Sequence, residues 1–148
     1  ASFAVHPDIR GHIGGVMTMG RGFPLDKSTK HKLNTRSSTE SEIVAVDDLI
    51  PQILWARLFM KAQGFEVRDN ILYQDNRSAM LLETNGRASS SKRTKHINIR
   101  YYYVADRVAK GDLRVVWCPT DKMIADILTK PLQGKAFVEF RDLLMGAE

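Results

Sequence analysis

Three carboxylates in this chain stand where the local pattern suggests more than surface charge. Glu42 falls in "STESEIVAV", at the head of a long helical pattern. Asp75 follows the apolar run "ILY" in "ILYQDNRSAM", and Asp126 sits in "CPTDKMIADILTKPL", beyond a second apolar run. Carboxylates that converge repel one another unless cations neutralise them, and oxygen-only ligand sets suit hard divalent ions, Mg²⁺ or Mn²⁺. A pair of such ions activates a water and stabilises the leaving oxygen in phosphodiester cleavage. Each acid also has an ordinary structural reading. Glu42 lies three residues after Thr39, as in a capping box. Asp75 precedes a helix start and would accept hydrogen bonds from its free N–H groups. Asp126, taken alone, reads as a solvent-facing helix residue.

The elements that must position these acids can be outlined from patterning. "ASFAVH" alternates small and apolar residues as a strand, "PDIRG" follows as a turn, and "HIGGVMTMG" reads as a second strand paired with the first. "RGFPLDKSTKH" is a polar turn region, and "KLNTRS" a short third strand. A long helix is then expected to start at Thr39, with Ser38 or Thr39 as its cap. Its apolar residues Ile43, Val46, Leu49, Ile50, Ile53, Leu54 and Leu58 keep a helical spacing. Pro51 inside that pattern is expected to kink or split the helix, and Gly64 to end it. A fourth strand spans Asn70 to Gln74 and is followed by a short helix. "INIRYYYVADRVAKG" is helical with Gly111 as its stop, "LRVVWCP" is a fifth strand, and a last helical stretch runs from Thr120, broken at Pro131. Strands joined by short turns are antiparallel and strand–helix–strand crossovers parallel, so the expected class is α/β with a mixed sheet. Parallel strands bring their carboxyl ends together, which would let the three acids converge on one sheet edge.

Bulk properties narrow the field. With 148 residues, 43% of them hydrophobic, the chain suits one domain with a proper core. Lys and Arg number 22 against 17 Asp and Glu, a surplus that favours polyanionic partners. A lone cysteine, Cys118, excludes an internal disulfide framework and a cysteine-rich zinc site; its apolar setting reads as a buried core thiol. His6, His12 and His31 show no spacing that suggests zinc, so no zinc is expected. No apolar run is long enough for a membrane span and no signal peptide precedes the first strand, which leaves no membrane partner and an intracellular setting.

Taken in order, "STESEIVAV", "YQDNRSAM", "KRTKHINIRYYYV" and "CPTDKMIADILTKPL" resemble the successive motifs of the ribonuclease H domain of copia-type retrotransposon Pol polyproteins. The resemblance covers essentially the whole chain, and "ADILTKPL" after the fifth strand is its most telling part. It implies a ribonuclease H-like fold, a five-stranded mixed sheet (three antiparallel strands, then two parallel) flanked by helices. It further implies a metal-dependent endoribonuclease that hydrolyses the RNA strand of RNA–DNA hybrids during reverse transcription. Glu42, Asp75 and Asp126 would be the catalytic acids and the ligands of a two-ion Mg²⁺ or Mn²⁺ site. Glu40, on a different helix face, is the weaker candidate. The reverse transcriptase domain of the same polyprotein would be a partner, with the work done in the cytoplasm, inside virus-like particles, and the nucleus a further candidate.

One departure from the family pattern bears on activity. The family's first strand carries another aspartate just before a small residue, as in "D-A-S", whereas this sequence opens with "AS" at Ala1. Residues 1–148 therefore read as a single domain, a fragment starting immediately after that acid. Asp8, in the turn "HPDIRG", is a poor substitute. The alternative reading is a decayed, catalytically dead remnant that still binds nucleic acid. Binding itself would rest on the basic stretch "GRASSSKRTKH", with Arg87, Lys92, Arg93, Lys95 and His96, and on Asn76 and Ser78 beside Asp75. Lys and Arg neutralise phosphates while hydroxyls and amides add sequence-blind hydrogen bonds. A solvated charged loop is the plainer account of the same residues. Of Tyr101, Tyr102 and Tyr103, consecutive on a helix, at least one should be core.

Overall fold

A computed structural model describes residues 1–85 and 95–147 of the chain. The elements in order are β1 (His12–Met17), β2 (Leu25–Lys30), α1 (Ser38–Ala62), β3 (Ile71–Gln74), α2 (Arg77–Asn85), α3 (Lys95–Ala109), β4 (Arg114–Trp117), two 3₁₀ turns (Thr120–Lys122 and Ile124–Leu128) and α4 (Gly134–Met145). The chain divides into two compact units. One comprises Ala1–Ala45 with Thr120–Glu148, the other Val46–Pro119.

The α/β class stands, but the five-stranded mixed sheet of a ribonuclease H-like fold does not form. Among the described residues there are two two-stranded sheets: β1 and β2 antiparallel, β3 and β4 parallel. The expected first strand, Ala1–His6, contributes only an isolated bridge, Ser2 to His12. Ala4 takes a left-handed backbone angle (φ 53°), which no extended strand accommodates. The expected third strand, residues 32–37, is irregular. The strand that does pair with β1 is "LDKSTK", read as turn from its polarity. It is an exposed ribbon, Met17 facing Leu25 and His12 facing Lys30, and so carries little apolar alternation.

The other expectations fare better. The fourth and fifth strands are β3 and β4, parallel and in register from Ile71–Arg114 to Gln74–Trp117. α1 runs unbroken through Pro51 rather than splitting. α3 stops at Gly111, whose φ of 72° suits only a residue without a Cβ, with Asp112 N donating to Arg107 O at 3.0 Å. The last helical stretch is not α-helical from Thr120; it becomes the two 3₁₀ turns before α4.

In the unit Val46–Pro119 the core is Val46 and Ile50 of α1, Val104 of α3 and Leu113, packed by Leu54, Leu72, Tyr103, Val108 and Val115. Tyr101 is buried and Tyr102 exposed, as the helical spacing of the triplet requires. Arg100 reaches Asp47 at 2.5 Å; burial pushes the Asp47 carboxyl up and the guanidinium pulls it back. Cys118 is half-buried rather than a core thiol. The α1 pattern also overstates its buried face. Leu58 is 66% exposed, and Trp55 and Phe59 stack on one another in the open with ring centroids 5.3 Å apart. No described helix is long and apolar enough to cross a membrane.

Ile50 and Leu58 belong to one apolar series in the sequence but differ completely in burial. Ile50→Ala should lower the unfolding free energy by about 2–5 kcal/mol, and Leu58→Ala by no more than about 0.5 kcal/mol. Urea denaturation of both variants decides it; equal losses would contradict the packing described.

Candidate functional site

Local chain chemistry decides first which acids are occupied as helix caps. At the head of α1 the capping residue is Ser37: its Oγ accepts from Glu40 N at 3.2 Å, and its carbonyl accepts from Ser41 N at 3.0 Å. Glu40 reaches back, its Oε2 accepting from Arg36 N at 2.6 Å. The cap is therefore Ser37, with Glu40 reaching one residue past it to Arg36 N, and neither bond involves Glu42. At the head of α2 the cap is Asn76, whose Oδ1 accepts from Ala79 N at 3.0 Å. The Asp75 carboxylate does not serve as that cap. The neighbours of both acids perform the structural roles that the sequence left open for the acids themselves.

Glu42 and Asp126 belong to the same unit, and both are largely withdrawn from water. The Glu42 side chain is 12% exposed, and its Oε1 accepts from the Ala1 amino group at 2.5 Å. Asp126 is 6% exposed, so it is not the solvent-facing residue of the plainer reading. Its Oδ2 accepts from Lys130 Nζ at 2.6 Å, while its carbonyl accepts the Thr129 and Lys130 N–H groups at 3.0 and 2.8 Å, which winds the turn tightly around it. A buried carboxylate is expensive unless a cation meets it, and each of these two has one.

A single dipeptide touches both acids' surroundings. Ala1 N lies on Glu42, and the next residue, Ser2, donates its hydroxyl to Thr129 O at 2.8 Å, three residues beyond Asp126. β1 runs against the same turn. A Cβ at Gly14 would stand 2.4 Å from Thr129 Cγ2 and 2.9 Å from Ala125 O, so only glycine lets the strand approach. Ser28 of β2 closes the far side, donating to Leu128 O at 3.0 Å. Sequence reading missed Ser2 and Gly14, because their partners lie on remote segments, and it missed Lys130 as well. The i, i+4 spacing of Asp126 and Lys130 was the one available signal.

Asp75 lies in the other unit, directly after β3 and half-buried. The residue before it is fixed on two sides: Gln74 Nε2 donates to Glu83 Oε1 at 3.2 Å, and Gln74 Oε1 accepts from Asn76 N at 3.1 Å. Gln74 and Glu83 are buried, and neither was singled out from sequence. Arg77 lies over the Trp117 ring, 4.7 Å from its centroid. Asn76 spends its side-chain oxygen on the α2 cap, and Ser78 is exposed in the first turn. Arg87, Lys92 and Arg93 fall outside the described residues. Lys95 and His96 open α3 rather than ending the loop, and their side chains also lie outside the description. Among the described residues, no group of three or more His, Cys, Asp or Glu side chains is set to hold a metal ion.

Relatives of this chain are retrotransposon proteins. It is 38% identical over 114 residues, 76% of its length, to the Retrovirus-related Pol polyprotein from transposon RE1 of Arabidopsis thaliana. It is 28% identical over 131 residues, 88% of its length, to the corresponding polyprotein from transposon TNT 1-94 of Nicotiana tabacum. To the Transposon Ty1-NL2 Gag-Pol polyprotein of Saccharomyces cerevisiae it is 32% identical over 141 residues, 93% of its length. These matches take in only 8%, 10% and 8% of the three polyproteins, so the chain spans a tenth or less of the relatives it matches. No family model matches the chain, and no solved structure does.

The two possible caps make opposite forecasts. Ser37→Ala should cost about 1 kcal/mol of stability, whereas Thr39→Ala should change it by under about 0.5 kcal/mol. Thermal denaturation of the two variants is the measurement, and a larger loss at Thr39 would return Glu42 to a capping role.

Proposed function

Because the homologues of this chain are retrotransposon Pol polyproteins over most of its length, we propose that it is the part of such a polyprotein that hydrolyses the RNA strand of RNA–DNA hybrids during reverse transcription. The observation that supports this best is the state of Glu42 and Asp126. Both are largely withdrawn from water and neither caps a helix; Asp126 is matched to the Lys130 ammonium, Glu42 accepts from Ala1 N, and Ser2 donates to Thr129 O in the turn that carries Asp126. Asp75 joins them on its sequence motif.

The donor set fits a hard divalent ion. Carboxylate oxygens are the ligands Mg²⁺ and Mn²⁺ prefer, and ammonium groups stand at 2.5 and 2.6 Å from Glu42 and Asp126. With any residue joined to the Ala1 nitrogen, that ammonium becomes a neutral amide, and Glu42 then needs a cation from elsewhere. A residue so placed would also sit next to Glu42, where the motif pattern calls for an aspartate. Glu42 and Asp126, which belong to one unit, would hold an ion, and Asp75 is counted with them on its motif alone. When bound, divalent ions supply a water made nucleophilic at neutral pH and charge neutralisation at the scissile phosphate. The protein's own share is to orient its carboxylates and to keep Glu42 and Asp126 largely dry. Lys130 compensates Asp126 until an ion does, and the Thr129–Ser2 hydrogen bond fixes the turn that carries it. The basic stretch through Arg87, Lys92, Arg93, Lys95 and His96 would grip phosphates without reading sequence, as a hybrid substrate of any sequence requires. The reverse transcriptase region of the same polyprotein would deliver that hybrid.

Cleavage of a labelled RNA–DNA hybrid with Mg²⁺ or Mn²⁺ tests the reading on three proteins: this chain, the chain with an aspartate added ahead of Ala1, and the extended chain carrying Glu42→Gln, Asp75→Asn or Asp126→Asn. The extended chain should cleave, and each substitution should slow it about a hundredfold, the equivalent of ~2.7 kcal/mol in the barrier. Cleavage untouched by all three substitutions would remove the acids from the mechanism. Hybrid binding without cleavage in every form would make the chain a nucleic-acid-binding remnant instead.

A further inference from the structure

His6 and His12 stand six residues apart in the chain, a spacing that gives no hint of a shared role. The turn between them folds back on itself: His6 N donates to Arg10 O at 3.1 Å, Ile9 N donates to His6 O at 2.8 Å, and Ile9 takes a left-handed φ of 63°. This sets His6 Nε2 3.1 Å from His12 Nδ1, with ring centroids 5.3 Å apart.

The second nitrogen of His12 fixes the proton positions. His12 Nε2 lies 2.9 Å from Ser28 Oγ, and Ser28 Oγ lies 3.0 Å from Leu128 O. A hydroxyl has one proton, and a carbonyl can only accept, so the Ser28 proton goes to Leu128. Ser28 must then accept from His12, which carries its hydrogen on Nε2 and presents a lone pair at Nδ1. His6 faces that lone pair with its own Nε2.

We propose that His6 and His12 form a two-imidazole binding site for a borderline divalent transition ion, Zn²⁺ above all. Two imidazole nitrogens on one tetrahedral zinc, each at 2.0–2.1 Å, stand about 3.3 Å apart, close to the 3.1 Å between His6 Nε2 and His12 Nδ1. Binding requires His6 to carry its hydrogen on Nδ1 instead of Nε2; the imidazole stays neutral and no proton is lost. Ser28 keeps its place behind His12, as the outer partner that holds a metal-ligating histidine in one tautomer and one orientation. Both imidazoles are half-buried, and the His12–Ser28 contact beside them is exposed, so the remaining coordination positions would be filled by water or by an oxygen ligand from outside.

The charged surroundings allow it. Lys30 faces His12 across the β1–β2 register, but its Nζ is held at 2.5 Å by Asp8, which also meets Arg10 at 3.4 Å. Burial, with a smaller contribution from the charge of His6, pushes the His12 pKa down, and a neutral imidazole is the form that ligates. Imidazole nitrogen selects zinc, nickel and copper over magnesium. The site is therefore independent of the carboxylate chemistry proposed above and stands or falls without it.

Zinc binding to this chain, followed by competition with a chromophoric chelator, is the test. One Zn²⁺ should bind per chain, and a hundredfold excess of Mg²⁺ should not displace it. His6→Gln and His12→Gln should each weaken binding at least tenfold, and Ser28→Ala should weaken it by a smaller factor with both ligands still present. The imidazole resonances of His6 and His12 should shift together as zinc is added, a readout that does not depend on any variant folding. Full affinity in the doubly substituted chain, resonance shifts confined to other histidines, or no stoichiometric binding at all would overturn the proposal.

Discussion

A side chain at Gly11 has nowhere to go, and much of its unit depends on that. A Cβ there would stand 2.5 Å from Ser2 O, 2.7 Å from His31 Cδ2 and 2.8 Å from Ser41 Oγ. Around the vacant position three remote segments meet. His31 N donates to Gly11 O at 2.9 Å, Ser2 and His12 exchange backbone hydrogen bonds at 2.9 and 2.8 Å, and Ser41 Oγ lies 3.0 Å from His31 Nε2. His31 and Ser41 are almost completely buried. Ser41 is the residue before Glu42, and Ser2 is the residue that reaches Thr129. The crossing therefore sets both the first turn of α1 and the turn that carries Asp126. A methyl group at Gly11 would push on all three segments at once, with no flexible side-chain tip to yield on the Ser2 side.

That unit is held by polar contacts to an unusual degree. Ile13, Ile43, Val44, Ala45 and Phe140 are buried in it, but so are Ser2, His31, Thr35, Ser41 and Asp126. Interiors of this kind gain little net stability per hydrogen bond, since water offers the same bonds to the unfolded chain. They gain geometric definition, because a displaced partner leaves a buried polar group unsatisfied. The unit Val46–Pro119 works on the opposite principle, with Val46, Ile50, Val104 and Leu113 enclosed by further apolar side chains. A hydrophobic cluster tolerates small shifts that a hydrogen-bonded crossing does not.

The division between what was legible in the sequence and what was not follows the range of the interactions. β3, β4 and α1 are written in local composition, as is the stop of α3 at Gly111. The strand "LDKSTK" carries almost no apolar signal because both its faces are largely wet. The residues 1–6 look extended by alternation, yet a positive φ at Ala4 breaks the run and only the bridge from Ser2 to His12 remains. A five-stranded sheet needs pairings between distant segments, and no stretch of chain records its partner. Glu42 shows the same limit at the scale of one helix turn. Ser37–Glu40 and Thr39–Glu42 both satisfy the capping pattern, and only the direction of the Arg36 and Glu40 N–H groups decides between them. The resemblance named the relationship to retrotransposon Pol polyproteins correctly, while the sheet it implied was not found.

The acids and the histidines are joined by more than a shared unit. From His6 the hydrogen bonds run to His12, from His12 to Ser28, and from Ser28 to Leu128, two residues past Asp126. Each link has a single polarity, since the Ser28 proton can serve only one acceptor. A proton or an ion on His12 Nδ1 leaves the hydrogen on Nε2, so the Ser28 hydroxyl keeps its direction toward Leu128 O in either state. The turn has a second anchor in the Ser2–Thr129 bond, which starts from the opposite side of β1. Loss of the Ser28 link would leave the turn held on one flank, with Asp126 still paired to Lys130. The turn that carries Asp126 is thus held from two sides, by Ser2 and by Ser28, and the glycine at position 14 lets β1 lie close against it.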